Sequence, residues 1–230
     1  MQHHEPTRSV PWTARDAWIG TVSLFLWMML SLGAVLFFGQ TAPGIDPGIL
    51  ITLLELPLLA VVWWFTVRKY HTGWEALGFS GFDPKVLWSG VKLLFLAMLF
   101  NMLYGLLLSP FGLRAQPDLV PIFQTLDSPW PLLLGGAVLI PVVEEVFFRG
   151  FLFTGLRERY GWQRAMVISA LLFALVHLQF LAIPPIFVMG LIFAYLYQRS
   201  GSIWPATILH VAMNAMALGG AYLAFKQTLS

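Results

Sequence analysis

The chain has 230 residues, 58% of them hydrophobic and 10% charged. Its mean hydropathy of +0.77 places it among polytopic membrane proteins. The net charge of +2 is too small for a nucleic-acid-binding surface, and the absence of cysteine excludes disulfides, iron–sulfur clusters, thiolate zinc sites and a cysteine nucleophile.

The first sixteen residues are polar, with His3, His4, Glu5, Arg8, Arg15 and Asp16, and read as a cytosolic tail. The apolar run that follows is too long for a signal-peptide core and is expected to be an uncleaved first span. Apolar segments follow in order at 17–39, 48–67, 86–109, 130–154, 164–178, 183–198 and 203–225. Segments five and six are short. Segments four and five are separated by the charged stretch Gly155 to Gly161, read as a turn, and segments five and six by Gln179 to Pro185, whose two prolines disfavour continuous helix. The string Gly78-Phe79-Ser80-Gly81 resembles a serine-protease motif but lies in a charged juxtamembrane stretch, so it reads as a turn. His4-Glu5 does not extend to a His-Glu-x-x-His zinc motif, because position 8 is arginine.

The expected fold is all-α: a polytopic membrane protein of about seven transmembrane helices in a bundle. Residues 1–230 form one integral-membrane domain, with 1–16 as its tail. Placing the N-terminus in the cytosol puts eleven of the 13 basic residues on that side and leaves Arg114 and Lys226 outside, which gives an N-in, C-out orientation.

Charged residues inside spans are costly and are functional candidates by default. Glu144 and Glu145 are adjacent in segment four, and Arg149 lies four residues after Glu145, on the same helix face. This spacing pairs Arg149 with Glu145 and leaves Glu144, about 100° away, for chemistry. His177 follows Phe173 by four residues near the end of segment five, and His210 and Asn214 share a face of segment seven. At about 1.5 Å per residue, Glu144 and Asn214 lie roughly 16 Å from the cytosolic end of their spans, His210 roughly 10 Å and His177 roughly 20 Å. Such depths are compatible with one intramembrane polar chamber opening towards the cytosol.

A carboxylate can take a proton from water and deliver it to a leaving amine, while imidazole and amide donors stabilise an oxyanion. Glu144, His177 and His210 could alternatively ligate zinc or another divalent metal with water in the open position. Both routes hydrolyse an acyl bond, and the spacing does not choose between them. The bland readings are a buried ion pair, a core histidine bonded to a carbonyl at His177, and helix–helix glue at Asn214 and Asn101. Glu55, before Pro57, is a further intramembrane acid that either lines a cavity or snorkels.

Three strings, Glu144-Glu145-Val-Phe-Phe-Arg149, Phe173-Ala-Leu-Val-His177 and His210-Val-Ala-Met-Asn214, occur in order on separate spans. Together they resemble the CPBP family of CAAX-processing proteases and bacteriocin-protection proteins, also called the Abi family, over residues 130–215. The Trp74-to-Phe79 stretch resembles it as well. The resemblance implies an integral-membrane endopeptidase acting on a membrane-embedded or prenylated peptide or protein, in a prokaryotic inner or plasma membrane. It implies that Glu144 activates water, that Glu145 and Arg149 support it, and that His177, His210 and Asn214 complete the site. A glutamate mechanism with no required cofactor is the favoured expectation. The competing expectations are a non-catalytic immunity or scaffold protein and a proton-coupled transporter.

Overall fold

A computed structural model describes residues 9–38 and 46–229, and the described residues form an all-helical bundle. His3, His4, Glu5 and Arg8 lie outside the described residues. Helix α1 (Ala14–Phe38) starts three residues earlier than the apolar run suggests. Its first turn is closed by a reciprocal cap: Thr13 N donates to Asp16 Oδ2 (2.9 Å), and Asp16 N donates to Thr13 Oγ1 (3.3 Å). Asp16 also accepts from Lys69 Nζ and from the Tyr70 hydroxyl, which ties the start of α1 to the end of α2.

Helix α2 (Pro47–Arg68) is capped by Asp46, which accepts from Gly48 N and Ile49 N, with Pro47 in the first turn. It is interrupted at Leu56, where Pro57 lacks a donor, and the Trp27 indole N–H donates to the Leu54 carbonyl (2.8 Å) just before the break. Helix α3 (Pro84–Phe111) begins on an Asp83 cap. Between α2 and α3, Gly78 adopts φ +92°, and a Cβ there would approach Tyr197 Cε2 to 2.7 Å. The turn reading of Gly78–Gly81 holds. Gly78 O accepts from Ile203 N (2.9 Å), and Ser80 O accepts from Ser202 Oγ (2.6 Å).

Helix α4 (Trp130–Tyr160) is the hub. Of its most apolar stretch 56% is buried, against 11–39% for the corresponding stretches of the other long helices, so α4 is surrounded by protein and the others face outward. It contains two π-helical segments, Gly135–Leu139 and Val146–Phe153, on either side of Ile140–Glu145. Pro141 cannot donate to the preceding turn, which is one cause of a widened helix there. Carbonyls in and near the second segment are taken up from outside: Phe151 O by the Trp12 indole (2.9 Å) and Phe148 O by Ser169 Oγ (2.9 Å).

Two expected turns are helix. Residues Thr154–Tyr160 stay helical, and the break falls at Gly161 with φ +77°. Gly155 is instead a contact glycine, where a Cβ would meet Trp12 Cδ1 at 2.9 Å. Pro184 and Pro185 stand in the first turn of a helix, where missing donors cost little, so α6 (Phe180–Ser200) has 21 residues. Helix α5 (Trp162–Leu175) has 14. That is about 21 Å of rise, short of the ~30 Å hydrocarbon core. Among the described residues six helices, α1 to α4, α6 and α7 (Trp204–Gln227), are therefore long and apolar enough to cross a membrane, rather than seven. Orientation in the bilayer remains an expectation from the basic residues.

Candidate active site

Helices α4 and α7 bring the polar residues together and touch at a glycine of α4. A Cβ on Gly136 would sit 2.8 Å from Leu218 Cδ1. This approach lets Asn214 Nδ2 donate to Gly136 O (3.1 Å) and places His210, one turn earlier on α7, against the acidic pair. His210 bridges both carboxylates: Nδ1 lies 2.9 Å from Glu145 Oε1, and Nε2 lies 3.5 Å from Glu144 Oε2.

Glu145 is held as its spacing predicts. Arg149 Nη1 lies 3.0 Å from Glu145 Oε1, with both side chains fully buried. Arg149 Nη2 donates to Gly190 O on α6 (3.2 Å), and its guanidinium lies over the Phe173 ring at 4.4 Å. Glu144 is not isolated from this group, because one imidazole with two nitrogens reaches both neighbouring side chains. Glu144 stays 8% exposed, whereas Glu145 is closed off.

His177 stands just beyond α5, with Nδ1 2.7 Å from Phe173 O. This is the carbonyl contact of a core histidine, yet the ring is only partly buried and borders two cavities. The smaller, about 160 Å³, is bounded by His177, His210 and Asn214 together with Asn101, Met189 and Met213. The larger, about 300 Å³, is bounded by His177, Glu144 and Glu55 together with Trp27, Leu58 and Phe148. All six expected site residues thus lie in one connected neighbourhood, with His177 joining its halves. Asn214 does not contact His210 through a hydrogen bond; it ties α7 to α4.

Sequence reasoning missed α6. Phe193 stacks on His210 at 4.9 Å and 24°, and the Gly190 carbonyl accepts from Arg149. A ring face and a backbone carbonyl leave no spacing signature. Among the described residues no group of three His, Asp or Glu side chains could hold a metal ion.

The family model described as "Type II CAAX prenyl endopeptidase Rce1-like" matches residues 126–216, the stretch that carries all three motifs. Over residues 126–216 the chain is similar to this family. With six helices long and apolar enough to cross a membrane among the described residues, the chain is a multi-pass integral membrane protein. Three relatives are bacterial. The chain is 28% identical over 109 residues to "Putative membrane peptidase YdiL" of Bacillus subtilis, covering 47% of this chain and 45% of that protein. It is 33% identical over 115 residues to "Uncharacterized 24.3 kDa protein" of Escherichia coli, covering 47% and 52%. It is 24% identical over 159 residues to "Membrane-embedded CAAX protease MroQ" of Staphylococcus aureus, covering 66% and 58%. The chain therefore spans about half the length of the curated relatives it matches. No solved structure matches it significantly.

Proposed function

We propose that the protein is an intramembrane endopeptidase that hydrolyses a peptide bond of a membrane-associated or lipidated substrate, with Glu144 as the base that activates water. The observation that carries this reading is His210 bridging Glu144 and Glu145 beside two cavities that share His177.

The charges support it. Glu145, paired with Arg149, is a carboxylate, so the His210 Nδ1 facing it carries hydrogen. His210 and Arg149 thus lie against the two carboxylates, which is how a water-poor site holds adjacent acids. His210 then holds the Glu144 carboxylate in place through Oε2.

The chemistry follows from the remaining groups. His177 Nδ1 faces a carbonyl and must carry its hydrogen, so the neutral ring presents Nε2 as an acceptor. It orients the attacking water while Glu144 removes a proton. The carbon–oxygen bond forms, and the carbonyl electrons move to an oxyanion. Asn214 spends one amide hydrogen on Gly136 O and offers the second to that oxyanion. Glu144 returns the proton to the nitrogen as the carbon–nitrogen bond breaks, leaving an acid and an amine. The smaller cavity, bordered by Met98, Ile186, Met189 and Met213, suits an apolar substrate segment or lipid chain. On the basic-residue orientation, the substrate is reached from the cytosolic side.

The test is Glu144→Gln in the full chain in proteoliposomes, read by mass spectrometry on membrane-inserted peptides. Turnover falls at least about a hundredfold, with an unchanged unfolding transition. Turnover at the wild-type rate overturns the assignment.

A further inference from the structure

We infer that Glu55 is a substrate-positioning residue that selects a peptide carrying a lysine or arginine side chain next to the scissile bond. The inference deepens the peptidase reading and rests on it for the identity of the ligand as a peptide.

Glu55 sits one residue before the break in α2 and borders the same cavity of about 300 Å³ as Glu144 and His177. A substrate segment that fills that cavity lies against the proposed base. The wall is otherwise mostly apolar, including Trp27, Leu58 and Phe148. Ser31 is a polar exception, and its hydroxyl is buried with no hydrogen-bond partner. No lysine or arginine borders the cavity among the described residues. The nearby cation, Arg149, is committed to Glu145 and the Gly190 carbonyl. Glu55 has no part in the ion pairs of the described residues.

A carboxylate within a membrane-spanning helix is costly without a cation or a proton. Glu144 does not relieve it, since a second carboxylate on the same wall adds repulsion. A cationic side chain entering with the substrate relieves Glu55, and the apolar wall accommodates its methylene stem. The cavity is large enough for a lysine or arginine side chain. The bound ammonium or guanidinium would meet Glu55 at one end while the adjoining backbone carbonyl lies by Glu144 and His177. Glu55 thus acts on which peptide binds, rather than on the bond-making step.

Two arms test this in the full chain in proteoliposomes. In the first, peptides with one position occupied by lysine or by uncharged norleucine are scanned along an apolar segment, and kcat/KM is measured for wild type, Glu55→Gln and Glu55→Asp. The wild type prefers lysine at one position by about tenfold, expressed in KM. Glu55→Gln loses the preference, and Glu55→Asp, which keeps the charge, retains part of it. In the second arm the same peptides are bound, without turnover, to Glu144→Gln and to Glu144→Gln/Glu55→Gln, with fluorescence anisotropy as the readout. The lysine peptide binds the single variant more tightly than the norleucine peptide, and the double variant does not distinguish them. No charge preference in wild type, or the same preference in Glu55→Gln, overturns the inference and leaves the peptidase reading standing. Glu55-dependent lysine binding with no cleavage by wild type does the reverse.

Discussion

Arg149 is fully buried on a span with no bulk water to turn to, so its contacts must come from protein. Glu145, the Gly190 carbonyl and the face of Phe173 supply them, each from a different helix. Removing one partner of such a pair leaves the other charge buried and uncompensated, which costs about 3–5 kcal/mol, whereas removing both costs far less. Arg149→Met therefore destabilises the fold strongly, Glu145→Gln does so as well, and the double variant recovers much of the loss. Unfolding in mixed detergent micelles measures all three, and strictly additive losses would count against the pair. Much of this was legible in the sequence: the four-residue spacing gives the Glu145–Arg149 contact directly, because helix geometry alone sets it. The bridge from His210 to both carboxylates was not legible, since it depends on how closely α7 approaches α4.

That approach is a property of elements, and glycine sets it at several contacts. The glycines differ in what a side chain would strike. At Gly136 a Cβ would meet Leu218 Cδ1, the end of a flexible chain, at 2.8 Å. At Gly190 it would meet Ala170 Cα, which is backbone, at 2.9 Å. Leu218 can rotate aside, but the α5 backbone cannot move without shifting Ser169 and Phe173, which touch α4. Gly190→Ala should therefore destabilise by about 1–3 kcal/mol and disturb the carbonyl that Arg149 uses, while Gly136→Ala is near neutral. Equal unfolding transitions for the two variants would contradict the contact geometry. The same α5–α6 contact explains why α6 escaped sequence reading: its contributions are a backbone carbonyl and the ring face of Phe193. The π-helical segments of α4 escaped for a related reason. Pro141 marks a disturbance, but the register that follows depends on outside donors such as Trp12 and Ser169.

At the scale of the whole molecule, contacts divide the bundle into two ends. Asp16 joins Lys69 and Tyr70 at one end, and there the Gly78–Ser80 stretch is bonded to Ser202 and Ile203. Phe123 packs on Tyr222 and Phe225 near the far end of α7. The basic residues cluster at the first end, where Arg68, Lys69, Lys85, Arg157, Arg159, Arg164 and Arg199 sit near helix termini, while Arg114 and Lys226 lie towards the second. Cytosolic loops carry such an excess, which predicts that the first end faces the cytosol. The absence of cysteine makes the test direct, because a single introduced thiol is the one target for a maleimide. Gln163, exposed after the α4–α5 break, marks the first end, and Gln124, exposed beside Phe123, marks the second. On intact cells a membrane-impermeant maleimide labels Gln124→Cys and spares Gln163→Cys until the membrane is opened. The opposite pattern reverses the orientation, and with it the side from which substrate reaches Glu144, but leaves the internal geometry of His210 and the two carboxylates untouched.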